Sequence, residues 1–592
     1  MNPFAYDLQP SLAVPGSEGS CVTGWDAIAD RLAVALAGRR RAAGGPRVLV
    51  VETYPGIEVE AVERALVGRL RPARVLRAAE AMWPPDRIDA LVAPFLGGDD
   101  PVFGFMNGLQ LPDFFDPERL ALSRDAMRRA GSGIILAIGV GASWLAGGAG
   151  DLLVYADLSR WEAQRRFRRD AASNLGVENR TAPASLQYKR AFFVDWRVAD
   201  RWKRPLLAGW DYVLDTHDPA VPKLADGEAV RAGLRWAVTR PFRVVPYFDA
   251  APWGGQWMRE RFGLDPAAPN YGWGFDGVPE ENSLYLDLGG TRIEIPALDL
   301  VFHQPRALLG EAVHARFGDE FPIRFDFLDT LGGGPLSLQV HPLTEYIQRH
   351  FGMHYTQDES YYLLEAGPEA GVYLGLREDV DAAAMVRDLR VAREGRAPFP
   401  AHRHVQFWPA RRHDHFLIPA GTVHASGAHA VVLEISATPY LFTFKMWDWE
   451  RLGLDGRPRP IHLDHALANI DWTRTAGWVG RHLVNAVTPV RAGPGWREER
   501  TGLHEREFIE TRRHWFTVPV PHHTRGGVHV LNLVQGEAAW VESQDHAFEP
   551  FLVRFAETFI VPAAVGPYRI RPFAPNPSRD LATLLASVRT GL

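Results

Sequence analysis

Ser337-Leu338-Gln339-Val340-His341-Pro342 places an amide and an imidazole two residues apart in a strand-forming run. Successive side chains of a strand point to opposite faces, so Gln339 and His341 project together and can grip one ion. Pro342 lacks a backbone N–H and ends the ladder. Two later segments extend the pattern: Asp358-Glu359-Ser360-Tyr361-Tyr362-Leu363-Leu364 and Ile418-Pro419-Ala420-Gly421-Thr422-Val423-His424-Ala425. Together they supply Gln339, His341, Glu359 and His424: two imidazoles, one carboxylate and one amide oxygen. Zinc accepts such donors, and the oxygen ligands also suit Mn, Fe or Co. On composition alone a second cluster, His402, His404, His413 and His415, competes as a metal candidate; its polar setting reads as mostly solvated.

The ligand set resembles that of the type I phosphomannose isomerases, a zinc-dependent cupin family. Further motifs share the resemblance: Trp253-Gly254-Gly255, Phe321-Pro322-Ile323 with Phe327-Leu328-Asp329, Trp447-Asp448-Trp449-Glu450-Arg451-Leu452, Asp455-Gly456-Arg457-Pro458-Arg459 and Ile461-His462-Leu463. It spans residues 244 to 592. The resemblance implies two β-rich cupin (jelly-roll) domains, a metal-binding catalytic one at 244–472 and a metal-free one at 473–592. It implies an aldose–ketose isomerase that interconverts mannose 6-phosphate and fructose 6-phosphate or a related sugar. By motif position it implies Lys445 and Glu434 as catalytic groups, with Ser337 and Gln357 binding the substrate.

Three departures bear on the substrate. Gln357 stands where the family has lysine, and Lys445 where it has arginine. Glu280-Glu281-Asn282-Ser283-Leu284 replaces an E-x-W motif. Arginine offers a planar fork for phosphate, whereas lysine is a point charge with an adjustable pKa. One cation is lost and another changed, which weakens the case for a phosphorylated substrate. The competing reading is a non-catalytic sugar-binding or regulatory protein that keeps the metal.

At 592 residues the chain has room for about four average domains. It is 46% hydrophobic and 23% charged with a net charge of -6, so neither nucleic acid nor an anionic membrane is an expected partner. A single cysteine, Cys21, excludes an internal disulfide and a zinc–thiolate site. Met1-Asn2-Pro3-Phe4-Ala5-Tyr6-Asp7 lacks a signal-peptide pattern, and cytoplasm is the expected location. Residues 133–150 are apolar, but their glycines suit strands and turns better than a membrane helix. Only four of the 65 basic residues are lysines: Lys189, Lys203, Lys223 and Lys445. The sequence assigns no oligomeric state.

Residues 1–240 read as a separate α/β unit with a parallel sheet. Buried-type strands at Arg47-Val48-Leu49-Val50-Val51, 133–138 and 152–156 alternate with helical patterns at 58–70, 117–130 and 159–173. The order resembles nucleoside kinases of the uridine kinase type, with Arg165-Arg166-Phe167-Arg168-Arg169-Asp170 in the place of a phosphate-facing lid helix. A working P-loop needs G-x-x-x-x-G-K-(S/T). Here Ile57 and Glu58 follow Gly56, so the expectation is a degenerate kinase-like domain without kinase activity.

Overall fold

The computed structural model describes residues 4–39, 45–437, 442–502, 507–574 and 580–590, which leaves the first three residues of the chain start outside it. The chain forms two compact units. One comprises Ser11–Trp236 and Ser283–His303; the other comprises Met1–Pro10, Ala237–Asn282 and Gln304–Leu592.

The first unit is built on a seven-stranded sheet in the order Cys21–Thr23, Lys223–Asp226, Tyr212–Asp215, Leu152–Asp157, Arg47–Thr53, Ile134–Gly139 and Arg74–Arg77. The last five run parallel, as continuous apolar runs buried on both faces require. Connecting helices include Val59–Leu70, Pro117–Arg128 and Arg160–Arg168. Pro117 opens the second of these at a position needing no N–H, and Asp116 caps it by accepting from Glu118 N at 2.9 Å. The glycine-rich run 133–150 folds as strand Ile134–Gly139 and short helix Ala142–Ala146. No helix among the described residues is long and apolar enough to cross a membrane.

Strands Ser283–Leu288 and Thr291–Pro296 fall within 244–472, the span expected of the metal-binding β domain. They instead form a three-stranded sheet with Ser11–Ala13 in the α/β unit. Gly289 and Gly290 close this hairpin with φ of 64° and 91°, values a two-residue turn demands and glycine adopts freely. The helix that follows, Leu298–His303, carries Asp299 to Lys203. Lys203 Nζ also lies 2.6 Å from Asp157 Oδ2, and all three side chains are buried. This ion triad ties the inserted segment to the end of a central strand.

The turn at Gly56 is bonded by the basic run itself. Arg166, 1% exposed, donates to Gly56 O at 3.2 Å, to Thr216 O and to Glu162. Arg165 and Arg169 pair with the same Glu162. The basic run therefore braces its own unit instead of presenting charge to a ligand.

The second unit contains two pairs of antiparallel sheets. In the first pair, six strands run in the order His415–Ile418, Glu359–Ala366, Ala430–Ser436, Arg324–Asp329, Trp273–Gly277 and Tyr247–Asp249. Five more run Val405–Pro409, Gly371–Leu376, His424–Ser426, Leu338–Val340 and Phe444–Trp447. The helical pattern near 379–394 is helix Ala382–Arg393, capped by Asp381 accepting from Ala384 N at 3.0 Å. In the second pair, six strands run in the order Thr488–Gly493, Trp496–Gly502, Ile509–Phe516, Leu581–Val588, His529–Gln535 and Thr558–Val561. They accompany four others, Val520–His523, Pro567–Pro572, Ala538–Ser543 and Phe551–Arg554. Its core is packed by Phe516, Leu531, Leu533, Val541, Phe559 and Ile570.

The His402 cluster is less solvated than its sequence suggests. His404 and His415 are buried, the first bonded to Asp388 Oδ2 at 2.7 Å, the second pushed to a pKa of about 3 by burial. His413 meets Tyr362 Oη at 2.8 Å and His402 meets Tyr373 Oη at 3.3 Å, so three of the four imidazoles serve separate partners.

Candidate metal centre

The two sheets of the first pair bring the ligand candidates together. Gln339 pairs in the ladder with His424 on one side and with Lys445 on the other, so all three side chains share a face. His341 follows one residue beyond the strand, and Glu359 opens a strand of the facing sheet. His341, Glu359 and His424 place one ligand atom each within 4.8 Å of one another, all buried. Among the described residues no other such group of His, Cys, Asp and Glu occurs. The Gln339 side-chain amide lies 3.2 Å from His424 Nε2, and rotation about its last bond brings the amide oxygen to the same place.

Hydrogen bonding fixes what these atoms can do. His341 Nδ1 donates to Phe442 O at 2.7 Å, and His424 Nδ1 donates to Thr422 O at 2.9 Å. A carbonyl only accepts, so both protons sit on Nδ1 and a neutral ring leaves Nε2 bare. These bare nitrogens face the Glu359 carboxylate at 3.1 Å and 3.0 Å. His341 Nε2 and Glu359 Oε1 are buried without a hydrogen-bond partner. Acceptors packed against acceptors in a dry site repel unless a cation lies between them. The donor set and its orphaned atoms fit a divalent metal. Without such an ion a proton answers the carboxylate instead: burial opposes charge on both groups, yet Glu359 raises the His341 imidazole, and His341 and His424 hold the Glu359 carboxyl well below the usual range.

Gln357 is placed differently from its sequence expectation. It is 1% exposed, donates from Nε2 to Glu359 Oε2 at 3.0 Å and accepts from Phe442 N at 2.7 Å. It thus orients Glu359 directly and His341 through the Phe442 peptide. Ser337 is also occupied: its hydroxyl donates to Asp448 Oδ1 at 2.8 Å and accepts from Arg459 at 3.1 Å. Arg451 and Arg459 both clamp Asp448, at 2.6 Å and 2.9 Å. The Trp447–Leu452 and Asp455–Arg459 motifs therefore form an ion knot at the foot of the Gln339 strand.

Lys445 is half-buried beside Gln339, with no carboxylate paired to its ammonium among the described residues. Its surroundings push its pKa down to about 7, through burial first and then the nearby Arg459 charge. Glu434 sits on the facing sheet, opposite Asp326 on one neighbour strand and Tyr361 on the other. Burial, then the Asp326 and Glu359 charges, raise it well above the ordinary carboxyl range.

Sequence reading missed the rest of this face. Glu359 and Tyr361, Ser436 and Glu434, and Arg324 and Asp326 align in two cross-strand rows, all buried. Asp326 is pushed up to about 6 by burial, against the pull of Arg324. The available signal was the alternation Arg324-Phe325-Asp326-Phe327, which matches a solvated face equally well.

Residues 24–239 match a family described as a domain of unknown function, DUF8485. A mannose-6-phosphate isomerase of Streptococcus mutans is 26% identical over 217 residues, 36% of this chain and 63% of that protein. Mannose-6-phosphate isomerase ManA of Bacillus subtilis is 27% identical over 235 residues, 39% of this chain and 69% of that protein. The chain thus spans less than two thirds of the Streptococcus relative's length. The crystal structure of the mannose 6-phosphate isomerase from Bacillus subtilis aligns with 59% of this chain and 100% of its own, at 18% identity and a TM-score of 0.48. Homologues covering part of this chain thus carry the name mannose-6-phosphate isomerase.

Proposed function

We propose that the chain is a metal-dependent aldose–ketose isomerase acting on a sugar or sugar phosphate, with its centre in the sheets of residues 244–472. The observation that carries this reading is the pair of bare Nε2 atoms directed at one carboxylate in a dry site. Gln339, His341, Glu359 and His424 would hold zinc, or Mn, Fe or Co. Such an ion supplies polarisation of the adjacent carbonyl and hydroxyl oxygens of an open-chain sugar.

The chain's own groups supply the proton handling. Isomerisation removes a proton from C2 and returns one to C1, with the charge that builds on oxygen needing a donor. Lys445, near half-protonated at pH 7 and beside Gln339, suits oxyanion stabilisation or proton donation. Glu434, behind the carboxylate ligand with its carboxyl raised well above the ordinary range, suits a second proton-transfer role. Mannose 6-phosphate is the first substrate to test, because the homologues carry that name. The free sugars come next, because Gln357 is spent on Glu359 and offers no charge to a phosphate.

The test is exchange of the C2 proton of mannose and glucose and of a C1 proton of fructose, each as the free sugar and the 6-phosphate, using metal-replete protein and His341→Ala. Exchange that disappears in the variant supports the reading. A second reading, a sugar-binding protein without turnover, is favoured by the hydrogen-bonded states of Ser337 and Gln357. Saturable sugar binding without exchange selects it.

A further inference from the structure

The second pair of sheets encloses a cavity of about 870 Å³ that shares no lining residue with the candidate metal centre. Beside the exposed His523, three imidazoles line it from three strands: His514, His522 and His529. His514 and His522 are 1% and 5% exposed, with rings 4.4 Å apart. His514 Nδ1 and His522 Nε2 have no hydrogen-bond partner among the described residues. His522 stacks on Tyr568 at 5.0 Å, and the Tyr568 hydroxyl meets His529 Nδ1 at 2.8 Å. Burial lowers all three imidazoles, and each neutral ring offers one N–H and one lone pair. A polyhydroxylated ligand matches that alternation of donor and acceptor.

Charge narrows the class. Five arginines and three glutamates line the cavity. Glu498 is taken up by His514 Nε2 at 3.6 Å, by Arg491 and by Arg512 at 2.8 Å, which together hold its carboxyl far below the usual range against its burial. Arg316 and Arg525 are exposed and pair with no carboxylate among the described residues; Arg316 lies 4.9 Å over the Phe508 ring. The imidazoles do not converge on one point as the His341 group does, and Glu498 is already neutralised, so a metal is poorly served. The volume falls in the range of small-molecule sites, about 300–1,000 Å³.

We propose that this cavity binds a monosaccharide-sized anion, a sugar phosphate or sugar carboxylate, whose charge meets Arg316 and Arg525 while its hydroxyls meet His514 and His522. The site does not depend on the isomerase reading.

The experiment is calorimetric titration of the full chain carrying His341→Ala, with glucose 6-phosphate, glucuronate and glucose as probes. At least one anion is expected to bind at one per chain, and glucose at least tenfold more weakly. Glucose 6-phosphate against glucuronate separates phosphate from carboxylate. The double variant Arg316→Ser/Arg525→Ser, both exposed and therefore safe for folding, is expected to weaken the anion at least tenfold. His522→Leu, with its fold checked by thermal unfolding, should do the same. Absence of saturable heat from both anions overturns the proposal, as does affinity unchanged in the rim variant. Stoichiometric zinc binding that His522→Leu abolishes would also overturn it and make the cavity a metal site.

Discussion

Gln357→Leu isolates the support of the metal centre from the centre itself. The side chain is buried and makes two bonds, one to Glu359 Oε2 at 3.0 Å and one from Phe442 N at 2.7 Å. Phe442 O in turn holds the His341 proton at 2.7 Å. Leucine keeps the volume and removes both bonds, so one carboxylate ligand loses its brace and one imidazole loses the anchor of its carbonyl partner. Loss of such outer contacts costs about 10–100-fold in metal affinity, or about 1.4–2.7 kcal/mol. A further 1–3 kcal/mol of folding stability, roughly, goes with the stranded Phe442 N–H. Metal affinity is read by competition with a chromophoric chelator, and stability by thermal unfolding with excess chelator. Gln357→Glu should fare worse, because it sets a second carboxylate beside Glu359. Metal affinity within twofold of wild type in Gln357→Leu would refute the positioning argument and return Gln357 to the substrate.

Three further perturbations bear on the same molecule. Lys445→Met is expected to lower turnover by about 10²–10⁴-fold with metal content unchanged. If the charged ammonium is the working form, wild-type activity falls as pH rises through about 7, and Lys445→Arg abolishes that limb. Between that pH and about 10 the unfolded chain holds a proton that the folded one has released, so stability rises with pH over the window. Glu434→Gln, which copies a neutral acid, should preserve fold and metal content but cut proton exchange about 10²-fold or more; full activity would remove Glu434 from the chemistry. Lys203→Met leaves Asp157 and Asp299 buried together and should cost about 3–5 kcal/mol. Hydrogen exchange in strand Leu152–Asp157 reads that loss, and Asp299→Asn in the same chain should recover part of it.

The cluster of His341, Glu359 and His424 beside Gln339 was legible because its pattern is local: one strand residue, one residue just beyond that strand and two strand starts, each with its own flanking signature. The buried polar face behind it was not. Arg324 and Asp326 alternate with Phe325 and Phe327, the pattern of a half-solvated strand, yet the strand lies between Ala430–Ser436 and Trp273–Gly277 and is buried throughout. The strands 47–53, 134–139 and 152–157 were visible as apolar runs, whereas Arg74–Arg77 and Lys223–Asp226 are too short and charged to stand out. The hairpin at 283–296 shows where sequence order misleads. Its strands were legible, but which sheet it joins depends on Ser11–Ala13 and on Asp299 meeting Lys203, partners far away in the chain.

The scarcity of lysine in this chain gives those contacts further weight. With arginine used almost everywhere, three of the four lysines stand where a guanidinium would fail on size or on pKa. Lys203 is enclosed by two carboxylates and lies 5.2 Å, 5.4 Å and 5.7 Å over the rings of Tyr54, Tyr155 and Trp210. A planar fork has no room to spread there, whereas a compact ammonium meets every partner. Lys189 ends against the carbonyls of Leu96 and Asp100, again a small cluster of acceptors around one point. Lys445 has no such cage, so size does not explain it. What distinguishes it is a pKa brought to about 7 beside Gln339, a property arginine lacks at any burial. The two structural lysines are explained by geometry, whereas Lys445 is set apart by a pKa near neutral, the property that the proposed proton transfer requires.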